Sequence, residues 1–389
     1  MTGQRLQPQQ TIYRRVVVKI GSNVLTAGTE QIDTVAMAAI AEQIASLVAR
    51  EVQTIIVTSG AIAAGRHRIR AHRDAQQDAR PLPPRDVQSR QVLAAIGQSR
   101  LMALWDQMFE QQDVPIAQAL LTRRDLADRL GYLNARNTLL ALVELGVVPI
   151  VNENDVVSVE EISDSTIGDN DSLSAQVANL VDADLLLILT DIAGLYTADP
   201  HRHPDARLIE EVARIDETIL RAASGASGVR GTGGMLTKVQ AARIATQGGT
   251  HVVIAEGGAR DIVLRVVAGE PVGTHFLPVG DRLESRRRYL LSGLQARGSI
   301  VVDDGAAGAL LRGGSSLLPA GVTACDGTFA RGDVVHVVTQ AGRHLASGMA
   351  NYSSTEVAQI LGRHSDQIAD LLGYEFGAEV IHRNNLVLV

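Results

Sequence analysis

Lysine is almost missing from this chain. Of its 36 lysine and arginine residues, only Lys19 and Lys238 are lysine, and the other thirty-four are arginine. Ordinary surface charge is therefore carried by arginine, and each lysine calls for a chemical reason. A lysine ammonium is a compact point charge on a slim stem, whereas a guanidinium is a broad planar fork, so a tight phosphate pocket accepts the first and excludes the second. Cysteine is scarcer still. Cys325 stands alone, which excludes an internal disulfide framework and suits a reducing, cytoplasmic setting. No run of about 20 apolar residues occurs, so no transmembrane helix is expected. The opening MTGQRLQPQQTIYRR lacks the apolar core of a secretory signal, and residues 1–11 are expected to form a disordered polar tail. Net positive charge is absent as well: the balance is −7, which disfavours nucleic acid and anionic membrane as partners. Absent motifs narrow the chemistry further. No Cys/His set has metal-ligand spacing, no GxSxG elbow supports an acyl-enzyme hydrolase, and no GxxxxGK[ST] loop is present.

What is present alternates. The 389 residues, 46% of them hydrophobic, suggest two or three domains with an ample core. Val16–Ile20, Thr54–Thr58, Val147–Val151, Leu185–Leu189 and His251–Ala255 read as continuously apolar strands. Between them, helical spacing predicts helices over Asp33–Glu51, Gln88–Gln111 and Ser172–Leu180, with another following Lys238. Strand then helix, repeated, is the pattern of a parallel sheet covered on both faces, with ligands expected beyond the carboxyl ends of the strands. Between Arg66 and Arg85 the pattern breaks into Arg, His, Asp, Gln and Pro, and an exposed loop is expected there. Residues 276–295, with Arg286-Arg287-Arg288, read as a linker. From about Ala296 the texture changes to short strands, glycine-rich turns and one short helix near Ser354–Gly362, a separate, mainly β domain.

Polar clusters fall at the predicted strand ends. The turn KIGSN follows the first strand and supplies Lys19. The segment GTGGMLTK, Gly231 to Lys238, opens a helix, where glycines admit a polyphosphate to backbone N–H groups and the helix N-terminus adds partial positive charge. Two lysines from two sides of one rim suit the charge-spread transition state of phosphoryl transfer. NEND (Asn152 to Asp155) and GDND (Gly168 to Asp171) concentrate acceptors that can bind a substrate ammonium or sit near nucleotide-borne Mg²⁺. Asp171 equally suits a helix cap before Ser172. Ser59 either caps a helix or donates to a substrate carboxylate. Thr190 and Asp191 either approach a nucleotide or form a turn. His201 and His203, beside prolines, read as surface residues.

Taken in order, VVVKIGSNVL, VTSGAIAAG, VNEND, GDND-SLSA, LLLILTDIAGLYTADP and GTGGMLTK resemble the amino-acid kinase family, in its glutamate 5-kinase branch, from about Ile12 onward. The resemblance implies an α/β fold, an amino-acid-kinase-like sandwich with a mainly parallel central sheet over residues 12–275. It implies transfer of the ATP γ-phosphate to the side-chain carboxylate of L-glutamate with Mg²⁺, the first step of proline biosynthesis. Aspartate or N-acetylglutamate would be the substrate of a sister kinase, but an acetylated amine would not need Asp155. By motif, Lys19, Thr232, Gly233, Gly234, Met235, Leu236, Thr237 and Lys238 are implied to bind ATP phosphates, and Thr190 and Asp191 the rest of the nucleotide. Ser59, Asp155 and Asn170 are implied to hold glutamate; metal ligands are not assigned. Proline is implied as a feedback inhibitor and a homo-oligomer as the assembly. Segments 66–85 and 156–167 are longer than the family pattern. Residues 296–389, with DDGA, SLLPAGV and GTFARGDVV, resemble a PUA domain. Such domains bind RNA elsewhere, but this one carries six arginines against nine Asp and Glu, a poor match for phosphate contacts. A structural or regulatory role is expected instead.

Overall fold

Runs of Val, Ile and Leu without polar interruption become strands buried on both faces. The structure, a computed structural model, describes residues 12–29, 31–77, 83, 86–157, 170–200, 202–225, 234–279 and 296–389. By contact the chain divides into two units, Met1–Leu126 with Arg136–Asp281, and Ala127–Ala135 with Arg282–Val389.

The first unit holds an eight-stranded sheet: β1 (Arg15–Ile20), β2 (Gln53–Thr58), β3 (Ile116–Leu121), β4 (Val148–Glu153), β5 (Leu185–Thr190), β6 (Glu211–Val212), β7 (His251–Glu256) and β8 (Thr274–Phe276). Their order is β3-β4-β2-β1-β5-β7-β8-β6. From β3 across to β7 every pairing is parallel, and only β8 runs antiparallel to β7. Parallel strands deliver their carboxyl ends to one edge, so Gly21, Ser59, Asn154 and Asp191 leave the sheet on one rim. Because β2 flanks β1 on one side and β5 on the other, the strand order reverses at β1. That reversal opens a crevice at its carboxyl end, where such sheets bind ligands.

The α/β expectation holds, with two local departures. Strand β3 was not among the expected strands, because IAQALL has alternating half-buried positions and one β-branched residue. The second departure is the expected loop from Arg66. Instead, a helix runs over Ala61–Ala75, and most of the segment beyond it lies outside the described residues. Only Ala61, Ala64 and Gly65 of that helix are buried, so its arginines and histidines are solvated and hide the helical pattern. It docks through missing side chains. A Cβ at Gly65 would fall 1.9 Å from the Leu93 carbonyl oxygen, and one at Gly97 would fall 1.8 Å from that of Ala61. The partner helix is Val87–Glu110, capped by Asp86, and the two cross at backbone contact. From the same helix the fully buried Trp105 donates its Nε1–H to Thr58 Oγ1 at 3.3 Å, tying it to the end of β2.

The second unit has a five-stranded sheet in the order β10-β9-β11-β12-β13, with β9 (Gly298–Val302), β10 (Val322–Gly327), β11 (Val334–Thr339), β12 (His344–Met349) and β13 (Leu386–Leu388). The expected helix is Ser354–Ile360, opened by a capping box in which Ser353 and Glu356 satisfy each other's backbone N–H. Further helices at Asp304–Leu311 and Ile368–Leu372 were not foreseen. Ile300, Val335, Val337 and Tyr352 centre its core. Residues 127–135 belong here too: Leu133 packs with Val334, Met349 and Val387, and Arg129 pairs with Asp333 at 3.2 Å. The expected tail (residues 1–11) and nearly all of the expected linker (276–295) lie outside the described residues.

Candidate active site

The two lysines meet on one carboxylate. Lys19, the fifth residue of β1, is wholly buried, and its Nζ lies 2.6 Å from Asp171 Oδ1. Lys238 stands in the first turn of the helix Met235–Gln247, and its Nζ lies 3.2 Å from the other oxygen, Oδ2. Thr237 donates its hydroxyl to the same Oδ2 at 2.8 Å. Burial by itself would raise the Asp171 pKa. The charges of Lys19 and then Lys238, with hydrogen bonds to the carboxylate, overcome that and hold it well below the usual range. Asp171 is thus ionised at any working pH, and the three charged groups together carry one net positive charge. Beside them, a Cβ at Gly21 would lie 3.6 Å from Lys19 Nζ, so glycine there keeps the approach to the ammonium narrow but open.

Sequence reasoning undervalued Asp171. In the structure the cap position belongs to Asn170, and Asp171 is the first residue of the helix Asp171–Leu180. An asparagine cap ordinarily accepts a backbone N–H of the first turn, yet Asn170 makes no such bond. Its Nδ2 turns to the strand ends instead, donating to Thr58 O at 2.6 Å, Asn152 Oδ1 at 2.8 Å and Ser59 Oγ at 3.3 Å. Nor does Ser59 cap a helix. The cap of Ala61–Ala75 is Gly60, at a φ of 102° that favours glycine, and the Ser59 hydroxyl accepts from Asn170. So two residues expected at one ligand, Ser59 and Asn170, are in contact. Asn152 joins them from β4, and its Nδ2 donates to Gln98 Oε1 at 2.7 Å. Gln98 had no signal beyond one polar residue in an amphipathic helix.

Asp155 lies two residues beyond β4 on the same rim. Burial pushes its carboxyl up, the charge of Glu153 adds to that, and Arg90 offsets part, leaving a pKa of about 6. The expected turn after β1 is instead a short helix, Ser22–Thr26, capped by Gly21; its Asn23 donates to Asp191 Oδ2 at 2.7 Å, and Thr190 donates its hydroxyl to Oδ1 at 3.1 Å. Burial pulls the Asp191 pKa up, but these bonds outweigh it and the carboxyl sits below its ordinary value. The helix after β1 and the segment after β5 are thereby locked together. Gly234 occupies the cap of the helix Met235–Gln247 without a side-chain bond; the Thr237 N–H turns back to Gly234 O at 3.1 Å, so Met235 and Leu236 carry the first-turn N–H groups that can meet an anion. Met235 and Lys238 are buried, and Leu236 and Thr237 are half-buried. Thr232, Gly233 and Asp169 lie outside the described residues, as does His201, while His203 is exposed.

A rim with two buried ammonium groups on one carboxylate, a bare helix N-terminus and an amide–hydroxyl cluster is suited to polyphosphate beside a small polar acceptor. Comparison with known proteins agrees, since the model of the amino acid kinase family matches residues 14–256. The chain belongs to the amino acid kinase family, among its glutamate 5-kinases. A PUA domain model matches residues 298–372. A glutamate 5-kinase of Dehalococcoides mccartyi is 52% identical over 97% of this chain and 99% of its own length. Those of Herpetosiphon aurantiacus and Shewanella pealeana are 49% and 47% identical, each over 97% of this chain and 98% of their own. Full-length similarity at this level extends to both units. The residues described above lie at the carboxyl ends of β1, β2, β4 and β5, the edge at which parallel sheets bind ligands.

Proposed function

We propose that this rim transfers the γ-phosphate of ATP to the γ-carboxylate of L-glutamate, giving L-glutamyl 5-phosphate. The observation that carries the reading is the pairing of Lys19 and Lys238 on Asp171, in a chain whose relatives of equal length are glutamate 5-kinases. A glutamate carboxylate is ionised at neutral pH, so the acceptor needs no general base. Asp171 would be a poor base in any case, being held strongly acidic by two ammonium groups. Its task is to fix both lysines, so that Lys19 and Lys238 neutralise phosphate charge as it spreads in transfer. The N–H groups of Gly234, Met235 and Leu236 hold phosphate oxygens, and Thr190 with Asp191 flanks the nucleotide. Asp155 pairs with the α-ammonium, the Ser59 hydroxyl donates to a carboxylate, and Asn170, whose Nδ2 is spent on Thr58, Ser59 and Asn152, offers its Oδ1 to the ammonium. Catalysis is then in-line positioning and charge neutralisation.

Mg²⁺ fits as a companion of the nucleotide. Both Asp171 oxygens are engaged by lysines, and among the described residues no three His, Cys, Asp or Glu side chains gather as a metal cluster. Phosphate oxygens and water are the usual ligands of this ion, which supplies charge neutralisation on the phosphates when bound. A cytoplasmic location, a homo-oligomeric state and inhibition by proline belong to the same proposal, carried by family resemblance alone.

ATP consumption measured with Mg²⁺ and glutamate, aspartate or N-acetylglutamate tests the reading. Turnover is expected with glutamate. Turnover on aspartate or N-acetylglutamate in its place would overturn it. The pH profile tests Asp155 separately. Protonation below pH about 6 removes the charge that pairs with the ammonium. Glutamate kcat/KM should therefore be level above that pH and fall about tenfold per unit below it, with the KM for ATP unchanged. In the complex the bound ammonium lowers this pKa, so the limb in kcat lies at lower pH. A kcat/KM profile level from pH 8 down to pH 4.5 would remove Asp155 from that role.

A further inference from the structure

Four side chains in one line, Gln98, Asn152, Asn170 and Ser59, are joined by hydrogen bonds whose directions can be fixed. Asn152 Oδ1 accepts the backbone N–H of Glu153 at 2.9 Å, and a backbone N–H is a donor only. The Asn152 Nδ2 therefore faces Gln98, which must present Oε1 to it, at 2.7 Å. Asn170 faces the Thr58 carbonyl, an acceptor only, so it presents Nδ2 there and to Asn152 Oδ1. With every amide orientation set, two polar atoms are left over, one on Gln98 and one on Asn170. Gln98 Nε2 and Asn170 Oδ1 are both buried, and neither has a hydrogen-bond partner.

Buried polar groups are satisfied in the great majority of cases, and leaving one without a partner is destabilising. Two orphans on one network, a donor and an acceptor, match a ligand carrying both an anionic oxygen and an N–H group. An amino acid is such a ligand. The backbone contact at Gly97 makes the placement of Gln98 rigid, because a Cβ there would meet Ala61 O at 1.8 Å and Gly65 N at 2.3 Å. The next residue along the helix cannot drift relative to Ser59, Gly60 and Ala61. We propose that Gln98 is a glutamate-binding residue: its Nε2 donates to a carboxylate of the substrate while its Oε1 holds Asn152, and through it Asn170, in place.

This inference rests on the glutamate reading. Gln98→Glu keeps an oxygen for Asn152 but sets a negative oxygen against the substrate carboxylate. Gln98→Met loses both bonds without adding charge. Steady-state kinetics should show the KM for glutamate raised about tenfold in Gln98→Met and about a hundredfold in Gln98→Glu. The KM for ATP should stay within about threefold in both, and thermal melting in saturating ATP verifies that each is folded. A residue that merely holds Asn152 would give the opposite order, Gln98→Glu milder than Gln98→Met, and that order overturns the inference. So does a glutamate KM within threefold of wild type in both variants, or an equal rise in both KM values. Should Gln98→Met fail to fold, Gln98→Glu against wild type decides by the same thresholds. Wild-type enzyme inert on glutamate would sink the functional reading itself; active wild type with indifferent variants sinks only this inference.

Discussion

Asp171→Asn is expected to lose at least about a thousandfold in kcat/KM and to unfold well below the wild-type temperature. Both effects have one origin. Asp171 and Lys19 are wholly buried and Lys238 is nearly so, and a single carboxylate faces both ammonium groups at 2.6 and 3.2 Å. Asparagine keeps the shape and removes the charge. Two neighbouring ammonium groups with no carboxylate between them repel, and the cheapest relief is for one to lose its proton. A neutral, reoriented lysine no longer meets the transferring phosphoryl group, and removing one preorganised electrostatic contact typically costs about a hundred- to a thousandfold. Here one change disturbs two. Breaking a buried pair costs about 3–5 kcal/mol, so activity must be compared per folded molecule. A double variant separates the effects: Asp171→Asn with Lys19→Met should melt higher than Asp171→Asn alone, because the uncompensated charge is gone, yet stay inactive. Turnover of Asp171→Asn within tenfold of wild type would show that the carboxylate does not organise the lysines.

Lys238→Arg, the mildest change available at that position by charge, should still lose about a hundredfold or more with little loss of stability. Arginine and lysine have similar helix propensity, so the helix Met235–Gln247 should survive. Geometry is what changes. A guanidinium prefers to grip a carboxylate with two parallel N–H bonds, and the nearest one is Asp171, whose two oxygens are divided between Lys19 and Lys238. Arginine would compete with Lys19 for the carboxylate and shift it while all three charges stay in contact, so the damage reaches the aim of a residue that was not mutated. Comparison of kcat/KM with calorimetric melting reads the two quantities apart. Near-normal turnover would defeat the argument that the pocket needs a compact charge.

Much of the site could be read in the sequence for a simple reason: in a chain built on arginine, Lys19 and Lys238 are conspicuous. Glycine-rich turns after apolar runs located the rim, and parallel pairing did the rest. Asp171 was harder to value because an aspartate ahead of a helical run has an ordinary explanation as a cap. Which of two adjacent residues caps and which turns inward depends on where the helix starts. Gln98 left no trace at all, since its importance comes from Asn152, fifty-four positions away. The helix Ala61–Ala75 was missed because pattern reading looks for an apolar stripe, and this helix docks through glycine.

That glycine crossing has a consequence for how the chain can vary. Two helices pinned at Gly65 and Gly97 behave as a hairpin clamped near its base, with Ser59 below one leg and Gln98 beside the pin on the other. Chain added beyond the clamp lengthens the far end and transmits no displacement to the substrate side. Closing a longer loop costs little, about 0.6 kcal/mol per doubling of its length. A lineage could therefore extend residues 66–85 freely and keep its chemistry intact, provided neither glycine acquired a side chain.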